Sequence, residues 1–141
     1  MRKTLICATL LFATSLLANG INWAKDFNSG MELAKKENKP VFFLTSKHTC
    51  PPCQYLAATT FKDEKVIKSL NENFIAIVSY TDEGDYIPRN LFMGMTPTLW
   101  FLKPSGEPLF KEVIGAIEPL DFLNGLDVVK ARFEESKRIG K

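Results

Sequence analysis

Cys50-Pro51-Pro52-Cys53 sets two thiols three residues apart, just after an apolar run and just before a helical pattern. Such a pair can open and close one disulfide, so thiol–disulfide exchange is its first chemistry, with a metal-binding thiol pair as the plainer alternative. A structural staple is a poor reading. A disulfide gains most by closing a long loop of the unfolded chain, and a loop with two intervening residues restrains very little.

A thiol at a helix start faces unpaired backbone N–H groups and the positive end of the helix dipole, which favour the thiolate and lower its pKa from about 8.5. Cys50 holds that position. Its thiolate would attack a substrate disulfide, and Cys53 is near enough to resolve the mixed disulfide. Pro51 and Pro52 have no N–H, so two donors are missing and only those of Cys53 and Gln54 remain as candidates. A less stabilised thiolate makes the pair a better electron donor, which predicts a potential toward the reducing end. His48, the single histidine, stands two residues before Cys50. As imidazolium it could stabilise the thiolate and as neutral imidazole accept a proton; the competing reading is an exposed loop histidine without a role.

The elements that must carry this pair are legible in the apolar pattern. Trp23, Phe27, Met31 and Ala34 recur at helical spacing and predict an amphipathic helix ending near Asn38, with Pro40 as its stop. Val41 to Thr45 and Phe74 to Tyr80 read as buried strands. Gln54 to Thr60 and Asp63 to Asn73 carry helical patterns, and a short helix interrupted by Pro88 is expected over Tyr86 to Met93. Thr98 to Leu102 and Leu109 to Ile114 should form a hairpin around Pro104-Ser105-Gly106-Glu107. A last helix opens at Pro119, with Leu120, Leu123, Leu126 and Val129 as its apolar face and a charged tail from Lys130. Strands separated by helices, then a hairpin and a closing helix, describe an α/β fold. Its central mixed sheet of about four strands is flanked by helices, with Cys50 at the carboxyl end of a strand.

Totals separate an export segment from the rest. The chain has 141 residues, 45% hydrophobic and 24% charged, as in an ordinary globular protein with one core. Arg2 and Lys3 lead into the apolar stretch Thr4 to Leu17, followed by Ala18-Asn19-Gly20, the pattern of a signal peptide over residues 1–20. The stretch is short of the roughly 18 to 20 residues that span a bilayer, so a cleaved signal is preferred to a retained anchor. Residues 21–141 then form the mature domain. Without Arg2 and Lys3, two of the 18 basic residues, 16 basic face 16 acidic side chains, and no charge excess points to a nucleic-acid partner. Cys7 leaves with the signal, so the mature thiols are Cys50 and Cys53 alone.

From about Trp23 onward the chain resembles thioredoxin-fold proteins, above all small periplasmic thioredoxin-like domains similar to the C-terminal domain of the DsbD type. The resemblance rests on Lys39-Pro40-Val41, Cys50-Pro51-Pro52-Cys53, Thr60-Phe61-Lys62-Asp63 with Val66 and Leu70, and Thr96-Pro97-Thr98 ahead of a strand. It implies a thioredoxin-like fold, Cys50 as the exposed nucleophile, Cys53 as the buried resolving thiol, and a cis Pro97 facing the disulfide. The backbone of Thr96 would then pair with an extended substrate segment. No cofactor is implied beyond the redox-active Cys50-Cys53 disulfide. The implied partners are protein thiol or disulfide substrates and a membrane thiol reductase as electron donor, in the periplasm, for a monomer. The sequence departs from the family at Leu44, where many members carry a buried Asp that assists proton transfer at the resolving thiol. Thr49 and Gln54 also replace the Trp before the first cysteine and the Lys after the second.

Two other functions compete. A disulfide oxidase or isomerase would use the same pair, although isomerases of this type generally add a dimerisation domain for which no residues remain. Copper binding or delivery would use Cys50, Cys53 and His48, with Met93 or Met95 nearby, as soft ligands for Cu(I). For the two methionines loop and core packing is the preferred reading.

Overall fold

The computed structural model describes residues 19–140. The signal-peptide reading of residues 1–20 therefore falls almost wholly outside the described residues. Asp26 starts the first helix by accepting the Ser29 N–H at 2.7 Å, and that hydrogen bond holds its carboxyl below the ordinary aspartate range. The helix α1, Phe27–Glu37, ends at Asn38 in the left-handed conformation. Trp23 stands outside it, in an extended segment bridged to Ala76, because the cap at Asp26 fixes the start later than the apolar spacing suggested.

Four strands follow the order β2-β1-β3-β4, with β1 Val41–Ser46, β2 Ile75–Tyr80, β3 Thr98–Leu102 and β4 Val113–Ile114. The β1–β2 pair is parallel and the other two are antiparallel, so the sheet is mixed. Every residue of central β1 is buried. That burial on both faces is why its sequence is a continuous apolar run rather than an alternation. Phe42 and Leu44 point to one core, shared with the helices α2 Pro51–Ala58, α3 Glu64–Asn73 and α4 Pro119–Ile139; Val41 and Phe43 point to the other, under α1 and Leu91.

Gly30 is where α1 comes closest to the sheet. A Cβ there would lie 2.5 Å from two side-chain carbons of fully buried Ile77 and 3.0 Å from Ala24 Cβ. Gly30→Ala should therefore destabilise by about 1 kcal/mol, since overpacking costs about 1–3 and helix propensity returns up to about 1. Urea unfolding measures it; a stabilised variant would mean that the helix can shift outward without loss.

Other expected elements differ as well. Tyr86 to Met93 forms only a three-residue 3-10 turn, Arg89–Leu91, closed by the Leu91 N–H on the Pro88 carbonyl. Pro88 supplies no donor and disfavours helix in the residue before it. The hairpin strand over Leu109 to Ile114 shrinks to Val113–Ile114. Leu102 is bridged to Pro108 but Leu99 pairs with Val113, so two extra residues bulge from the second strand between those points. In α4 the buried side chains are Phe122, Leu126, Val129 and Phe133, while Leu120 is exposed. Steps of three residues drift round a helix of 3.6 residues per turn, so Leu120 and Val129 lie on opposite sides, and the helix runs on past Lys130 as far as Ile139.

Candidate functional site: a disulfide at a helix start

Strand β1 delivers the chain to Ser46, and a short polar turn leads to Cys50 at the N-cap of α2. Pro51 and Pro52 fill the first two helical positions, where a fixed φ is compatible with helix and a missing N–H costs little. Helix α2 thus begins at Pro51, earlier than the apolar pattern from Gln54 implied. Cys50 and Cys53 are joined as a disulfide, with Cα atoms 5.2 Å apart. Cys50 is half-buried and flanked by exposed prolines, whereas Cys53 is 5% exposed.

The two candidate donors divide. The Cys53 N–H points at Cys50 Sγ, 3.3 Å away, but the Gln54 N–H is committed to the Cys50 carbonyl at 3.0 Å in the first helical turn. One backbone donor therefore serves the sulfur. Opposite it stands a carbonyl: Thr96 O lies 3.4 Å from Cys50 Sγ. A carbonyl dipole aimed at a sulfur disfavours negative charge there, so the environment adds little to thiolate stability.

Thr96 and Pro97 are thus brought to the disulfide, joined by a cis peptide bond. Pro97 is buried, and its carbonyl accepts the Gly115 N–H at 3.0 Å, which ties this loop to the end of β4. Met93 and Met95, just ahead in the chain, are exposed together with Phe92. Of the loop and core packing expected for the methionines only the loop is found; Gly94 at φ +71° and the single 3-10 turn carry the segment outward.

His48 turns to an acidic loop rather than to the sulfur. Its backbone N–H donates to Asp82 Oδ2 at 3.0 Å, its Nδ1 lies 3.1 Å from the same oxygen, and its Nε2 lies 3.5 Å from Glu83 Oε1. The ring stacks on Tyr80 at 4.1 Å. Burial raises the Asp82 carboxyl, but the hydrogen bonds from His48 and from its own backbone outweigh that and leave its pKa lowered. Gln54 Nε2 donates to the His48 carbonyl at 2.8 Å, tying α2 to this turn. The ligand set Cys50, Cys53 and His48 is therefore not assembled for copper. Among the described residues no group of three or more His, Cys, Asp or Glu side chains is arranged to hold a metal ion.

Behind Cys53 lies a cavity of about 260 Å³ that the sequence did not disclose, lined by Leu44, Ser46, Cys53, Phe61, Lys62 and Tyr80 and by the Gly20–Trp23 segment. Leu44 occupies the position of the family's buried acid and is 3% exposed in the core. Burial first, and then Glu83, Asp82 and Asp85, push the Tyr80 phenol above its ordinary pKa. A signal for this cavity was present only in Leu44 itself, an apolar side chain where a proton carrier was expected.

Residues 27–130 match the family of the thioredoxin-like domain. The chain belongs to that family. Spermatogenesis-associated protein 20 of Mus musculus is 34% identical over 65 residues, 46% of this chain but only 8% of that much longer protein. A thioredoxin from Thermus thermophilus superposes with a TM-score of 0.67 at 23% identity, covering 78% of this chain and 87% of its own. The C-terminal domain of DsbD from Neisseria meningitidis, in its oxidised form, gives 0.51 at 19% identity over 71% of this chain and 90% of its own. The last two likenesses concern the fold, a thioredoxin-like mixed sheet of four strands flanked by helices. A C-x-x-C disulfide on this scaffold supports thiol–disulfide oxidoreductase chemistry.

Proposed function

We propose that the protein is a periplasmic thiol–disulfide oxidoreductase that reduces disulfides in other proteins, with Cys50 as nucleophile and Cys53 as resolving thiol. The single observation that carries the reducing direction is the sparse support at Cys50 Sγ: one N–H at 3.3 Å and the Thr96 carbonyl at 3.4 Å. A reduced form that gains little from its thiolate gives up electrons readily. The backbone of Thr96, beside Pro97, receives an extended substrate segment next to the disulfide. No cofactor is needed beyond the Cys50-Cys53 pair. Electrons come from a membrane thiol reductase, and the protein acts as a monomer. Export through residues 1–20 accounts for the compartment. No described helix is long and apolar enough to cross a membrane.

Redox equilibration against glutathione tests the direction. The potential should fall near the roughly −270 mV of thioredoxin rather than the roughly −120 mV of the most oxidising relatives. Pro52→Ala returns an N–H to the second helical position, where capping donors act, and should move the potential on the order of 20–30 mV toward the oxidising end. A wild-type value at the oxidising end would make the protein an oxidase. An unchanged Pro52→Ala value would mean that missing donors do not set the potential.

A further inference from the structure

Cys53 must lose its proton before it can close the disulfide, yet the position of the usual buried acid is Leu44. In the step itself, Cys53 thiolate attacks Cys50 Sγ of the mixed disulfide. The Cys50–Cys53 bond forms, the Cys50–substrate bond breaks, and the electron pair leaves on the substrate sulfur, which takes up a proton. The proton from Cys53 has to go elsewhere. Cys53 is 5% exposed, and it lines the cavity behind it.

Three titratable groups line that cavity: Cys53, Lys62 and Tyr80. Lys62 ends the 3-10 turn Thr60–Lys62, which follows directly on α2 and so is held in register with Cys53. Its backbone N–H is fixed on the Thr59 carbonyl at 2.9 Å. Its ammonium forms no ion pair among the described residues, although six other lysine and arginine side chains do. Tyr80 is a poor proton acceptor, because the phenol must ionise first, and burial, then its neighbours Glu83, Asp82 and Asp85, oppose that. Its ring is also engaged by His48.

We propose that Lys62 is a positioning residue for the resolving step: this exposed lysine, which lines the cavity and has no ion-pair partner among the described residues, favours the Cys53 thiolate by its positive charge while cavity water carries the proton away. The positive charge does the work that a buried carboxylate does elsewhere by accepting the proton. It acts without changing its own protonation. This assignment rests on the redox reading of Cys50 and Cys53.

The test titrates the Cys53 thiol alone, in full-length protein carrying both Cys7→Ser and Cys50→Ser, from thiolate ultraviolet absorbance and the pH profile of its alkylation. Lys62→Met should raise the Cys53 pKa by about half a unit to one unit, and Lys62→Arg should restore it. In Cys7→Ser protein that keeps Cys50 and Cys53, reduced and mixed with excess glutathione disulfide, closure of the mixed disulfide at neutral pH should slow about two- to fourfold in Lys62→Met. The loss is smaller than the drop in thiolate because a less acidic thiol is the stronger nucleophile. Tyr80→Phe serves as the control and should leave the Cys53 pKa in place. An unchanged pKa in Lys62→Met, or a shift that appears in Tyr80→Phe instead, overturns the assignment. A parent protein that does not cycle with glutathione defeats the redox reading instead, and the thiol titration still reports on Lys62 separately.

Discussion

Cys50→Ser should abolish disulfide reduction, with insulin turnover falling about a thousandfold or more, because a serine hydroxyl is hardly ionised near neutral pH and cannot form the mixed disulfide. Cys53→Ser should behave differently. The Cys50 sulfur is half-buried at the start of α2 beside two exposed prolines, so a substrate disulfide can reach it. Cys53, 5% exposed, cannot be reached in the same way. The Cys53→Ser variant should therefore complete the first attack and stop, accumulating a covalent adduct with its substrate that a reductant releases. Gel electrophoresis under non-reducing conditions separates the two outcomes, and mass spectrometry of the trapped adduct names the substrate. Adducts formed by Cys50→Ser in place of Cys53→Ser would exchange the roles of the two thiols. Stoichiometric copper on the wild type with no turnover of insulin would favour metal delivery over electron transfer.

Much of this site was legible because its chemistry is local in sequence. The positions of Cys50, Pro51, Pro52 and Cys53 on a helix start follow from cysteine spacing, the prolines and the apolar strand before them, all within about a dozen residues. The same holds for β3, whose bounds Thr98–Leu102 match the apolar run, and for α3, which Asp63 caps by accepting the Lys65 and Val66 N–H groups. What sequence could not disclose depends on partners far along the chain. His48 reaches Asp82 across 34 residues, Thr96 O reaches Cys50 Sγ across 46, and the cavity behind Cys53 is assembled from β1, β2, α2, the Thr60–Lys62 turn and the Gly20–Trp23 segment. The choice between Cys53 and Gln54 as donor was likewise out of reach, since it depends on which N–H the first helical turn consumes. In α4 the error was of another kind: steps of three fitted a repeated apolar pattern, but the helix buries steps of four, three and four.

Phe42→Ala should cost about 3–5 kcal/mol of unfolding free energy, the largest stability loss expected of a single truncation here. Phe42 is fully buried on central strand β1. Its ring centroid lies 5.3 Å from that of Phe122, 5.5 Å from Phe101, 5.9 Å from Phe61 and 6.1 Å from Trp23, so one side chain joins β1, β3, α4, the turn after α2 and the segment before α1. A void there has walls on five separate pieces of chain, and they cannot all collapse inward together. Against a total stability of about 5–15 kcal/mol for a domain of this kind, the loss lowers the urea midpoint steeply while leaving its slope unchanged. Phe92→Ala is the contrast: Phe92 is 54% exposed, and its removal should change stability by about 0.5 kcal/mol or less. The same void should also reach the chemistry. Phe61 and Trp23, which both pack on Phe42 or beside it, line the cavity behind Cys53. Phe42→Ala should therefore speed alkylation of Cys53 in the reduced protein even where the fold survives. A midpoint close to wild type, or Cys53 protected as before, would mean that the aromatic cluster does not support the floor of the site.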